Sequence, residues 1–206
     1  MTQIHQDIVA KLDDATKEQH TSLDEKMSTL LFSATTTKSV YRTLLEKFYG
    51  FYAPFEEYYE NIEGQSDWQE VGLALSERKR MPLLKKDLLN LGVSDEQITH
   101  LAQFQDAEQL FSSIPQILGT LYAVEGATIG GQYIARQLEK TLHISAENGG
   151  AFFKGYGAEQ TKVMWKQFCE RVVAYTRCYP ESEEIIIYTA KAHFAAFEDW
   201  IFAPSR

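Results

Sequence analysis

A chain of 206 residues, 44% hydrophobic and 24% charged, is long enough to bury one full core and too apolar to stay disordered. Its 29 acidic against 20 basic side chains leave a net charge of −9. That surface repels nucleic-acid phosphates and anionic lipid, so nucleic-acid and membrane partners are not expected, although a small anion in a local basic pocket is not excluded.

The N-terminal segment MTQIHQDIVAKLDD is amphipathic and acidic, with no apolar signal core, and no run in the chain reaches the ~20 apolar residues that span a bilayer. Ile4, Ile8, Leu12, Ala15, Leu23 and Met27 make a helical stripe over residues 4–28. A second stripe, Tyr41, Leu44, Leu45, Phe48, Tyr52, Phe55 and Tyr59, covers about 37–60, with the preceding TTTKS run as its N-cap. Pro82 and Gly92 punctuate a helix over 82–91. Ser112-Ser113 before Pro115 opens a long helix that runs to about Leu142. After the Asn148-Gly149-Gly150 loop, residues 158–178 and 181–202 read as two more helices, split by Pro180. Ile185–Tyr188 is β-branched, but its continuation AKAHFAAFEDWI is helical, so the whole segment is assigned to helix. The expectation is all-α: a single compact multi-helix domain over 1–206, of roughly seven helices.

Two cysteines, Cys169 and Cys178, are too few for a disulfide framework and lack metal-binding spacing. Nine apart on one expected helix, they point in roughly opposite directions. A reducing, cytoplasmic compartment is the simplest reading.

Three features stand out as chemistry. Gly126, Gly130 and Gly131 lie in the middle of the long helix, and each interior glycine costs about 1 kcal/mol relative to alanine. Either the backbone must approach a large flat ligand, or the glycines mark a close helix–helix crossing; spacing alone favours the crossing. His20 borders the first apolar stripe, where a neutral imidazole facing a cavity could ligate haem iron, though a hydrogen-bonded core-edge histidine is commoner. Lys17, one turn away, could meet a ligand carboxylate or simply be solvated. His193, on the Ile186–Ala190–Phe197–Trp200 line, reads as core and as second choice for a ligand; His5, His100 and His143 read as terminal or loop-edge. Paired Glu-x-x-His motifs for a di-iron site are absent, as are nucleotide and nucleophile-elbow motifs. Phe48, Tyr52 and Phe55 read as core that could line a cavity.

The ATKEQH run ending at His20, the LYAVEGATIGGQYIARQL helix, the AFFKGYG loop followed by Trp165 and Phe168, and the AKAHFAAFEDW ending together resemble haem oxygenases, from about residue 8 to 202. The likeness is nearest to the bacterial branch associated with phytochromes. The resemblance implies haem sandwiched between two helices, as cofactor and substrate, and cleaved with dioxygen and external electrons to biliverdin, carbon monoxide and ferrous iron. It makes His20 the axial iron ligand and Gly126, Gly130 and Gly131 the distal wall. Lys17 and Lys166, with Arg171 as an alternative, become propionate partners. The implied protein partners are an electron donor such as a ferredoxin or reductase, and a bacterial phytochrome receiving biliverdin. The pattern departs from many relatives at Ala127, where they carry an aspartate, and at Ala123, where animal members carry an arginine. That leaves Thr128, Glu125 and Gln132 as the next polar candidates. It also motivates two other readings: a haem-binding or haem-trafficking protein of the same fold, and a thiaminase-like hydrolase using Cys169.

Overall fold

The computed structural model describes residues 7–203; Ile4 and His5 lie outside them. Ten α-helices follow in chain order, and no strand occurs among the described residues. They are α1 (Ile8–Phe32), α2 (Lys38–Glu57), α3 (Tyr59–Glu63), α4 (Ser66–Val71), α5 (Met81–Asn90), α6 (Asp95–Thr99), α7 (Ile114–Leu142), α8 (Ala151–Lys154), α9 (Ala158–Cys178) and α10 (Glu183–Phe202). The long helices fall where the periodicity puts them. The short ones, α4, α6 and α8, hold too few turns to show a period.

Local chemistry sets the boundaries. The Thr37 side chain accepts from the Val40 amide and caps α2. Ser113 does not cap α7 in that way; its hydroxyl and that of Ser112 both donate to Gln116 Oε1. The second stripe breaks earlier than its periodicity suggests, at Tyr58, into the short α3. Pro54 sits inside α2 and cannot bond the Gly50 carbonyl. That carbonyl instead accepts from the Phe104 amide at 2.9 Å. A side chain at Gly50 would collide with the Ala102 carbonyl, so glycine is what lets this loop close on α2.

The core gathers the whole second stripe: Tyr41, Leu44, Leu45, Phe48, Tyr52, Phe55 and Tyr59 are all buried. Helix α10 runs through the middle, packed on both α7 and α1. Its crossing with α7 is made at Gly119, where a Cβ would lie 2.5 Å from the Ile186 carbonyl. Ion pairs Lys11–Glu183 and Lys26–Glu198 tie α1 to α10. Helix α8 is held against α5 by the Asp87 carboxylate, which accepts from the Ala151 and Phe152 amides at 2.8 and 2.7 Å.

Candidate functional site

Between α1 and α7 lies a cleft of about 480 Å³. That is within the range of about 300–1,000 Å³ usual for small-molecule sites. One wall is α1, with Lys17 and His20; the opposite wall is α7, with Gly126, Ala127, Gly130 and Gly131. The closed end is aromatic, built from Phe48 and Tyr52 of α2, Phe152 and Phe153 of α8, and Phe194 and Phe197 of α10. Phe55 is core and does not reach the cleft.

His20 Nδ1 lies 3.1 Å from Asp24 Oδ2, one turn along the same helix. The ring stands edge-on to Phe194, centroids 5.9 Å apart. A carboxylate on Nδ1 fixes the tautomer and turns Nε2 outward as a free lone pair, the arrangement that a metal-ligating histidine needs. Asp24 had no signature in the sequence beyond its i+4 spacing from His20. His193 is different. It is fully buried against Phe51 and Phe55, burial pushes it down to about 3, and it does not line the cleft. It is a core residue, and the second choice of ligand falls away. Among the described residues no cluster of three or more His, Cys, Asp or Glu is placed to hold a metal ion.

The three glycines have different reasons to be glycine. A Cβ on Gly130 would meet nothing within 4 Å, so this position faces the open cleft. On Gly126 it would make ordinary contact with the Trp165 ring at 3.7 Å. On Gly131 it would lie 3.0 Å from the Phe153 carbonyl oxygen, so close helix packing explains that glycine. Close packing thus accounts for Gly131, whereas no neighbouring helix requires glycine at Gly126 or Gly130.

The basic candidates also divide. Lys17 lines the cleft. Lys166 does not; its side chain is exposed, with Nζ 3.7 Å from Glu170 on its own helix. Arg171 is further off, its guanidinium packed against Gly72 at the end of α4, and it is not a cleft residue. Trp165 is the α9 residue that reaches the cleft. At about 100° per residue, Lys166 and Arg171 are turned roughly 100° and 240° away from it.

The polar residues of α7 are spent elsewhere. Glu125 is buried behind the helix, 2.8 Å from Arg78 Nη1, and accepts from the Tyr156 hydroxyl at 3.1 Å. The Thr128 hydroxyl donates to the Glu125 carbonyl, and Gln132 Nε2 donates to the Lys154 carbonyl at 2.8 Å. Arg80, which precedes α5, does reach the cleft, at its α8 side. Two of the basic residues of the ERKR run, Arg78 and Arg80, are thus buried, where a charge run would ordinarily be solvated. Below Arg80, the Glu56 carboxylate accepts from the Arg80 and Met81 amides, and burial pushes it up to about 7.

Cys169 is half-buried on α9 and does not line the cleft; burial, with a smaller push from Asp7, raises its thiol to about 11. A thiol held protonated and outside the cleft is a poor nucleophile, which removes support for the hydrolase reading.

The heme oxygenase family model matches residues 6–203. No curated protein sequence matches the chain. Solved structures that share its fold include three heme oxygenases. Heme oxygenase 2 from Chlamydomonas reinhardtii, without heme, superposes with a TM-score of 0.78 at 18% identity, covering 98% of this chain and 100% of that one. The heme oxygenase of Leptospira interrogans gives 0.79 at 17%, covering 95% and 98%. The NO- and CO-bound heme oxygenase of Neisseria meningitidis gives 0.73 at 20%, covering 95% and 90%.

Proposed function

Since the chain belongs to the heme oxygenase family, we propose that it cleaves haem with dioxygen and externally supplied electrons to biliverdin, carbon monoxide and ferrous iron. The observation that carries this reading is the pairing of His20, oriented by Asp24, with a bare stretch of α7 across a cleft of haem-compatible size. The bound haem supplies the iron at which dioxygen is reduced, and its own ring is the substrate.

The chain's own residues do the rest. His20 Nε2 is the proposed iron ligand, and a neutral imidazole donates less electron density than a thiolate. Gly126 and Gly130 let the α7 backbone lie flat against the opposite face, which leaves space there sterically defined but free of side chains. Gly131 lets α7 close on α8 and so fixes where that wall stands. The aromatic end excludes water and sets how deep the ring can enter. Lys17 is the proposed partner of a propionate, offsetting the background charge of −9. Lys166, exposed beside Glu170 and outside the cleft, is given no contact in this proposal. An electron donor such as a ferredoxin or reductase, and a phytochrome as recipient of biliverdin, complete the proposal. The two free thiols fit a cytoplasmic setting.

One observation favours a second reading, a haem binder without ring cleavage. Among the described residues the carboxylates lining the cleft are Asp13 and Asp24, both on α1, so α7 offers no acid to the reacting face. The two readings separate optically. Protein titrated with hemin, then given reductant and air, turns green with biliverdin if it is an oxygenase. Hemin that binds and keeps its red-brown spectrum through turnover conditions supports the binder.

A further inference from the structure

Helix α7 has its weakest backbone where it faces the cleft. Gly126, Gly130 and Gly131 lie in its interior, and the Thr128 hydroxyl donates to the Glu125 carbonyl at 2.6 Å, a back-bond of the kind that bends helices. The place of this stretch is therefore set by what holds it from outside. At its end, Gln132 Nε2 donates to the Lys154 carbonyl, and Gly131 packs on the Phe153 carbonyl. At its start stands Glu125. Val124 and Gly126 on either side of it line the cleft, but the Glu125 carboxylate is fully buried away from it, 2.8 Å from Arg78 Nη1. The same carboxylate accepts from the Tyr156 hydroxyl at 3.1 Å. Arg78, also buried, ends the short turn Ser76–Arg78 ahead of α5. Tyr156 follows α8, between Gly155 and Gly157, whose positive φ values turn that segment back on itself. Glu125 thus joins α7 to two distant segments. A buried ion pair is a poor source of stability, since desolvation offsets most of its attraction and an apolar pair of similar size often serves as well. What it can supply is a fixed place.

We propose that Glu125 is a positioning residue for the bare stretch of α7: held from behind by Arg78 and Tyr156, it pins the start of that stretch as Gln132 and Gly131 pin its end, and so fixes where the wall opposite His20 stands over the ring. This rests on the haem-cleaving reading, in which the placement of that wall selects the part of the ring that is attacked. The choice of cleaved carbon then depends on Arg78, Glu125 and Tyr156, although neither Arg78 nor Glu125 nor Tyr156 lines the cleft.

The test uses the full chain and a double variant, Arg78→Met with Glu125→Leu, which replaces the ion pair by an apolar pair of similar size. Its Tm should stay within ~4 °C of wild type. Amide hydrogen exchange over residues 126–131 of the hemin-free protein should nonetheless quicken about tenfold or more, with the other long helices unchanged. Hemin affinity should move by less than about threefold, because His20, Lys17 and the aromatic end are untouched. The ratio of biliverdin isomers should shift by about twofold or more, since a displaced wall no longer favours the same carbon. Tyr156→Phe removes one hydrogen bond and should move exchange and isomer ratio the same way by less; it carries the comparison if the double variant does not fold. An unchanged isomer ratio with unchanged exchange at 126–131 overturns the proposal. So does exchange that quickens equally in every helix as Tm falls, which would make the ion pair a matter of stability alone. Wild-type protein that yields no biliverdin overturns the haem-cleaving reading itself, and this inference with it.

Discussion

Gly130→Ala and Gly131→Ala should move stability in opposite directions, although both fill a mid-helix glycine. Each removes a backbone penalty of about 1 kcal/mol. At position 130 the new methyl meets no atom within 4 Å, so the gain is kept. For a chain of this size about 1 kcal/mol is worth ~2–4 °C in Tm. At position 131 the methyl lies 3.0 Å from the Phe153 carbonyl oxygen. That oxygen has little room to retreat, because Asp87 holds the Ala151 and Phe152 amides and Arg80 holds the Phe152 carbonyl. Overpacking of this kind costs about 1–3 kcal/mol, so the net change runs from nothing to a loss of about 2 kcal/mol, or up to ~4–8 °C in Tm. Thermal unfolding of the hemin-free protein by far-UV circular dichroism reads both. Hemin titration adds the functional arm: Gly130→Leu should keep its helicity yet lose at least about tenfold in hemin affinity, the equivalent of ~1.4 kcal/mol of obstructed cleft. Destabilisation by Gly130→Ala, or a clear gain from Gly131→Ala, would refute the division of labour between the two glycines.

His20→Ala should abolish the low-spin alkaline hemin spectrum and turnover, whereas His193→Ala should lower Tm and keep the hemin spectrum; the reverse pattern would move the ligand to α10. Lys17→Ala should weaken hemin binding and shift the biliverdin isomer ratio more than Lys166→Ala does, and Arg171→Ala should leave both unchanged, as read by titration and product chromatography. The pH dependence of stability should show two opposed slopes. His193, held down at about 3 by burial, makes the folded state lose stability as pH falls from its ordinary 6.5 toward 3, by up to about 1.4 kcal/mol per pH unit. Glu56, pushed up to about 7, is stabilising while protonated and loses that contribution as pH rises from its ordinary 4.5 through 7. Glu56→Gln should therefore steepen the acid side of a urea-unfolding profile between pH 4.5 and 6.5, and an unchanged profile would count against a buried Glu56 proton.

Much of this arrangement was legible in the sequence. Helices α7 and α9 carry their own punctuation, and the stripe on α2 is buried throughout, because long amphipathic helices advertise their period. His20 and the glycine run fall on facing walls of one cleft, as their resemblance implies. What stayed hidden depends on contacts between distant segments. Gly50 and Gly119 are required by carbonyls of Ala102 and Ile186, which no local pattern reveals. Arg80 is buried by α8, 72 residues downstream in its hydrogen bond to Phe152. Arg171, the alternative to Lys166, lies outside the cleft for a geometric reason: six residues beyond Trp165, it sits on another face of α9.

The closed end of the cleft has a consequence for biosynthesis. The cleft takes His20 from α1 and two of its aromatic walls, Phe194 and Phe197, from α10, which is synthesised long after α1. Between them α8 takes its place only when Asp87 finds the Ala151 and Phe152 amides. On the proposed function, a ribosome-bound chain lacking α10 carries His20 without the aromatic surface that completes the cleft, and it cannot capture hemin in the mature geometry. On the same reading, hemin uptake therefore requires that α1 and α10 have met.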